Sequence, residues 1–158
     1  EVQLGGEKGE LLADTLEDLA VKEPVVVFAR FRHDLDTIRK VAEKQGRSYA
    51  ELSGRRNELA EWQAGRYDVI GVQIQAGGVG VSLVRARYCI YYSVGYSLGD
   101  YEQSLARVHR PGQSRPVVYI HLIAAHTVDE EVMWALQNKK DVVASILERA
   151  DTERTGAD

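Results

Sequence analysis

A single cysteine, Cys89, occurs in 158 residues, so no disulfide can close within the chain and a reducing compartment is indicated. Methionine is as scarce. Met133 is the sole one, so the sequence does not open on an initiator and reads as a piece of a longer protein. No apolar run reaches the ~18 residues of a membrane span, and the opening EVQLGGEKGE is too acidic and polar for a signal peptide. A cytoplasmic domain without membrane contact is the expectation. No lysine follows a glycine, which removes the phosphate-cradling GxxxxGK[ST] loop. The one Asp-Glu pair, Asp129–Glu130, falls at the start of a predicted helix instead of the end of an apolar strand, so no acidic pair is placed to hold Mg²⁺. Four scattered histidines and one cysteine give no zinc spacing, and no metal site is expected.

What is present is an alternation. Leu12, Leu16 and Leu19 share a helical face over 11–20, and Pro24 stops that helix. VVVFA (25–29) is a short, wholly apolar run, the pattern of a strand buried on both faces. Helical spacing returns over 34–45, followed by a strand at 48–52, a helix near 55–64 and a strand at 68–74. A glycine-rich segment occupies 75–83, and 87–92 reads as a strand, 99–109 as a helix and 116–123 as a strand. Thr127 and Glu130 form a capping box for a last helix to about residue 148, with Val132, Leu136, Val143 and Ile146 or Leu147 facing inward. The expected division is a linker and helix (1–24), one α/β lobe (25–149) and a frayed, flexible tail (150–158). Strands alternating with helices predict a three-layer α/β domain, a mostly parallel sheet with helices on both faces. Ligands on such sheets sit at the carboxyl ends of the strands, here the loops after 29, 52, 74 and 92.

Charge is unevenly spread. The net charge of −4 divides into −5 over residues 1–24, +5 over 25–128 and −4 over 129–158. In the middle block every basic residue except Lys40 and Lys44 is arginine, the side chain suited to bidentate phosphate recognition.

Three motifs compete for the chemistry. AGGVG (76–80) follows a strand, but a GxGxxG starting at Gly78 would need glycine where Leu83 stands; its backbone N–H groups suit either close approach to a phosphate or an ordinary tight turn. Gly95-Tyr96-Ser97-Leu98-Gly99 has the GxSxG form of a serine-hydrolase elbow between a strand and a helix. An acid and then a histidine should follow the serine, yet His121 and His126 both precede Asp129, so helix capping is the simpler role for Ser97. In QSLARVHRPGQ (103–113), Gln103, Arg107 and Arg110 recur at steps of four and three, within about 60° on one helical face. That stripe is either a solvated surface or a polyphosphate clamp that stabilises charge on a transferring phosphoryl group.

From residue 25 to about 147 the chain resembles the C-terminal RecA-like lobe of Swi/Snf-like superfamily-two helicases. Arg107-Val108-His109-Arg110-Pro111-Gly112-Gln113 is similar to that family's R-x-H-R-x-G-Q signature. AGGVGVSL (76–83) resembles its motif V, VVVFARF (25–31) its motif IV, and TVDEEV (127–132) the start of its last helix. The compact loops are most similar to prokaryotic or phage-encoded members. The chain departs at Ser93, often Asp in the family, at Tyr96-Ser97-Leu98 in place of Trp-Asn-Pro, at Ile74 in place of threonine and at Gln75 in place of a basic residue.

The resemblance implies half of a DNA-dependent ATPase, the isolated chain being inactive. Arg107 and Arg110 would reach ATP and Mg²⁺ held mainly by a missing N-terminal lobe, with Arg110 the γ-phosphate finger. Gln103 would order the phosphate or the attacking water, and Gly78 and Gly80 would lie near the nucleotide. Arg30, Arg32, Ser53, Gly54, Arg55, Gln73, Gln75 and Gly77 would face the backbone of DNA, double-stranded by expectation. The alternatives are a stand-alone nucleic-acid-binding module without ATPase activity and, third, a serine esterase.

Overall fold

A computed structural model describes residues 2–75, 81–95, 97–109, 116–123 and 128–155. Strands β1 (Val25–Ala29), β2 (Tyr49–Leu52), β3 (Val69–Gln73), β4 (Tyr88–Tyr91) and β5 (Val118–His121) form one sheet in the order β2-β3-β1-β4-β5. Every ladder is parallel, with Val25 of β1 opposite both Val69 and Tyr88. The helices are α1 (Val2–Glu17), α2 (Arg32–Lys44), α3 (Leu59–Gln63), α4 (Leu98–Val108) and α5 (Val128–Thr155). This is the expected α/β architecture.

The apolar run of β1 explains its central place, because each of its side chains is buried on one face or the other. Val25, Val27 and Ala29 pack with Leu12 and Leu16 of α1 and Leu35 and Ile38 of α2. Val26 and Phe28 pack on the opposite face with Trp62 of α3, Ile70 and Val108 of α4. The crossover through α2 carries the chain from β1 toward one edge and the crossover through α4 carries it from β4 toward the other. The two therefore leave the sheet on opposite faces, as right-handed connections require. That reversal opens a crevice beside the carboxyl end of β1. Gly71 in β3 lets the layers close: a Cβ there would run into the Tyr49 hydroxyl and come within 3.1 Å of Leu35 Cδ2.

Several predicted boundaries move. The helix expected over 55–64 shrinks to five residues, because Ser53 N–H donates to the Arg56 carbonyl (2.8 Å) and Asn57 bridges back to Leu52. Helix α1 starts well before residue 11 and ends at Glu17, and its inner face joins the core, so residues 1–24 do more than link. Helix α5 continues through Thr155, past the expected start of the tail. Its inward face was also overestimated. Val132 and Leu136 are buried, but Val143, Ile146 and Leu147 are exposed, since among the described residues nothing covers this half of the helix. Thr127 and the capping box lie outside the described residues.

One stabilising device escaped the sequence reading. Arg47 is buried at the start of the segment leading into β2, and its guanidinium gathers the last carbonyls around the end of α1. Nη1 donates to Ala20 O (2.9 Å) and Val21 O (3.3 Å), and Nη2 donates to Leu19 O (2.8 Å) and Leu16 O. Those carbonyls lie at and beyond the helix terminus, where intrahelical donors run out, and a cation there also suits the helix dipole. Burial lowers the Arg47 pKa from its ordinary value while nearby Asp68 opposes that shift.

Candidate functional site at the carboxyl edge of the sheet

The chain leaves β1 through Arg30, whose backbone N–H donates to Ser93 Oγ (2.8 Å); Ser93 in turn donates to Asp34 Oδ2 (2.7 Å). The loop after β1, the first turn of α2 and the loop after β4 are thereby locked together. Ser93 thus works with a carboxylate supplied from α2. Gly95 has a steric reason: a Cβ there would stand 3.3 Å from Arg30 Nε. Arg30, Ile74, Gln75, Gly95, Asp100 and Tyr101 line a crevice of about 300 Å³ at the ends of β1 and β3 and the start of α4.

Beyond it the remaining sequence-predicted contacts gather. Gln73 Oε1 accepts the Gly54 N–H (3.3 Å), tying the end of β3 to the turn after β2, and Arg32 Nη2 reaches within 3.6 Å of the place a Gly54 Cβ would occupy. Arg30, Arg32, Ser53, Gly54, Arg55, Gln73 and Gln75 therefore lie along one edge; Gly77, Gly78 and Gly80 lie outside the described residues. Their side chains are not equivalent. Arg55 donates to Glu51 Oε2 (2.8 Å) and to Asp36 Oδ1 (2.5 Å), and Ser53 Oγ donates to Glu51 Oε2 (2.7 Å). Among the described residues no carboxylate holds the guanidinium of Arg30 or Arg32, so these two carry the edge's open positive charge.

Glu51, fully buried in β2, was not singled out from sequence. Burial alone would raise its pKa, but hydrogen bonds from Arg55, Ser53 and Tyr49 outweigh burial and hold it at about 2. A carboxyl depressed in the folded state adds stability that is complete above its unfolded value of 4.5 and is lost as pH falls through the folded value. Glu51 is therefore expected to remove roughly 3 kcal/mol of stability between pH 4.5 and 2. Denaturant melts of wild type and Glu51→Gln across that interval should converge as pH falls; an unchanged gap between them contradicts the assignment.

Helix α4 bears the second set. Ser97 is its N-cap, and its Oγ accepts the Asp100 N–H (3.2 Å), the capping role expected of the GxSxG serine. His121 is committed elsewhere: its Nε2 meets Tyr101 Oη at 2.8 Å and its ring stacks on Tyr91 at 4.7 Å. Tyr91 Oη and Ser104 Oγ, 2.6 Å apart, seat the middle of the helix on β4. Gln103 is half-buried. Arg107 is only 3% exposed, and its backbone carbonyl accepts the Leu83 N–H (2.9 Å), which ties the segment after the glycine run to the end of α4. Burial lowers the Arg107 pKa, opposed by the charge of Asp100. The helical stripe does not extend as far as predicted. Helix α4 ends at Val108 and His109 is extended (φ −96°, ψ 121°), which breaks the 100° step before Arg110. Pro111 has no N–H to give the Arg107 carbonyl four residues back, so an unbroken helix could not continue through this segment. Arg110 itself lies outside the described residues.

Residues 7–112 match the family described as Helicase conserved C-terminal domain. The chain belongs to that family. This helicase C-terminal lobe is 29% identical over 152 residues to DNA repair protein RAD5 of Cryptococcus neoformans, the match covering 89% of the lobe and 13% of that protein. It is 25% identical over 145 residues to a protein of Mycoplasma pneumoniae named an uncharacterized ATP-dependent helicase, covering 87% of the lobe and 14% of the relative. The lobe thus spans about an eighth of the length of these curated relatives. In fold it is similar to the crystal structure of the C-terminal part of the Fun30 ATPase domain, with a TM-score of 0.72 at 23% identity over 82% of this chain and 44% of that one. The S. cerevisiae Dbp5 C-terminal domain gives a TM-score of 0.68 at 11% identity, over 87% and 80%. Among the described residues no helix is long and apolar enough to cross a membrane.

Proposed function

We propose that this lobe is the second half of an ATP-dependent DNA translocase of bacterial or phage origin. In the parent protein it docks on an N-terminal RecA-like lobe that binds ATP with Mg²⁺. Arg110 acts as the finger on the γ-phosphate, Arg107 supports it from within α4, and Gln103 orders the phosphate or the attacking water. Gly78 and Gly80 border the nucleotide. Mg²⁺ falls to the other lobe, because this sequence carries neither a GxxxxGK[ST] loop nor an acidic pair at the end of an apolar strand. Arg30 and Arg32, with Gln73, Gln75, Gly77 and the Ser53–Arg55 turn, track the DNA backbone. Closure and opening of the two lobes would then move these contacts along the duplex.

The observation that carries this reading is the pairing of two open arginines, at the carboxyl end of a buried parallel sheet, with the arginine-bearing end of α4. Relatives named as DNA repair proteins and as an ATP-dependent helicase support it. Hydrolysis by the full-length parent, measured with and without duplex DNA, tests it. Stimulation by duplex is expected, and none from the isolated lobe. A parent that binds DNA but hydrolyses no ATP favours the stand-alone binding module instead.

A further inference from the structure

Phe31 breaks a local rule. It is the N-cap of α2 (φ −110°, ψ 148°) and makes no side-chain cap hydrogen bond, at a position where Ser, Thr, Asp or Asn would be the stabilising choice. It is one of only two phenylalanines in the chain, and its partner in composition, Phe28, is fully buried. Phe31 is 44% exposed. Its ring stacks on His33, with centroids 5.3 Å apart and planes 10° from parallel, and the His33 side chain is 79% exposed. The Arg30 guanidinium lies 5.0 Å from the Phe31 ring centre, and Arg32 is the exposed residue between the two aromatics. A sequence that gives up a helix cap to hold two aromatic rings open to solvent, amid arginines no carboxylate neutralises, is built for a flat, anionic ligand.

We propose that the Phe31–His33 pair is a stacking platform for an unpaired nucleic-acid base, with Arg30 and Arg32 holding the phosphates on either side of it. The inference rests on the nucleic-acid reading above and narrows its ligand. Every base offers a π-face, so the platform takes any base, but a base inside a duplex is already stacked on both sides and cannot use it. The arginines of this edge still serve the duplex backbone, and the platform adds affinity wherever a base is unpaired, at a duplex end, a junction or a single strand.

The test is anisotropy titration of the 158-residue chain at low salt against three fluorescent DNAs: a short single strand, the same strand carrying abasic sites, and the matching duplex. Phe31→Ala is expected to weaken single-strand binding roughly 5- to 100-fold, the range set by loss of base–aromatic stacking. Binding of the abasic strand and the duplex should stay within about twofold, because phosphate contacts are unaffected. Phe31→Trp should retain single-strand affinity, and Phe31→Leu, apolar but without a π-face, should lose it. Arg32→Ala should weaken all three ligands together. Equal losses on all three ligands for Phe31→Ala, or full single-strand affinity in both Phe31→Ala and Phe31→Leu, overturn the platform while leaving the backbone reading intact. A wild-type chain that binds none of the three overturns both.

Discussion

Alanine at Arg110 in the full-length parent is expected to abolish detectable DNA-stimulated ATP hydrolysis. An arginine finger acts on charge that develops in the transition state and is typically worth about 10³–10⁵ in rate. The loss should therefore fall on kcat, with DNA affinity in the absence of nucleotide retained. Arg110→Lys should recover little, because an ammonium cannot reproduce the forked guanidinium geometry. The two arginines of the signature separate in this experiment. Arg107 is buried, so its removal also disturbs the packing of α4 and should lower the melting temperature. For Arg110→Ala an unchanged melting curve is the control that assigns the loss to turnover. Near-wild-type kcat in a normally folded Arg110→Ala parent sinks the assignment.

The largest stability effect is expected at Arg47. Alanine there removes a buried guanidinium that donates to the carbonyls of Leu16, Leu19, Ala20 and Val21, leaving Leu16 O and Ala20 O only their backbone partners, the Leu19 and Glu23 N–H groups. Loss of these charge-assisted hydrogen bonds, together with the packing of the buried Arg47 stem, should destabilise the chain by about 3 kcal/mol. For a domain of this size that lowers Tm by roughly 6–12 °C. Arg47→Lys presents one nitrogen to a site shaped for two and should fall between. Thermal melts read the total, and hydrogen exchange should place the loss in α1 and the segment to Val21. A loss under about 0.5 kcal/mol, the range of an ordinary surface substitution, contradicts the clamp.

Where the sequence was legible, the physics was local. VVVFA announces a two-face-buried strand because no polar residue interrupts it, and Ser97 announces a helix start because its hydroxyl serves its own backbone. The arginine-rich signature was readable as a motif, but its geometry was not: spacing alone cannot show that His109 would leave the helix before Arg110. The same limit hid Arg47 and Glu51. Both carry ordinary surface-residue letters, and their burial follows from carbonyls or cations brought from elsewhere in the fold. The expected inward face of Val143, Ile146 and Leu147 failed for the converse reason: periodicity shows which side of a helix is apolar, but not whether anything lies beside it. Phe31 left one readable sign, an aromatic at a helix start, whose meaning needed the stacked His33 and the open arginines.

The sheet order has a kinetic side. Strand β1 lies between β3 and β4, neither of which is its neighbour in sequence, so VVVFA leaves the ribosome well before the strands that cover its edges. Roughly 60 further residues must emerge before Tyr91 completes β4, which at 5–20 residues per second takes on the order of 3–12 s. Until β3 emerges the most apolar and β-prone stretch of the chain has two unsatisfied edges, and until β4 follows it still has one. Misassociation should therefore concentrate in nascent or refolding chains, and a holdase that recognises short aliphatic segments should bind 25–29 before any other part of the molecule.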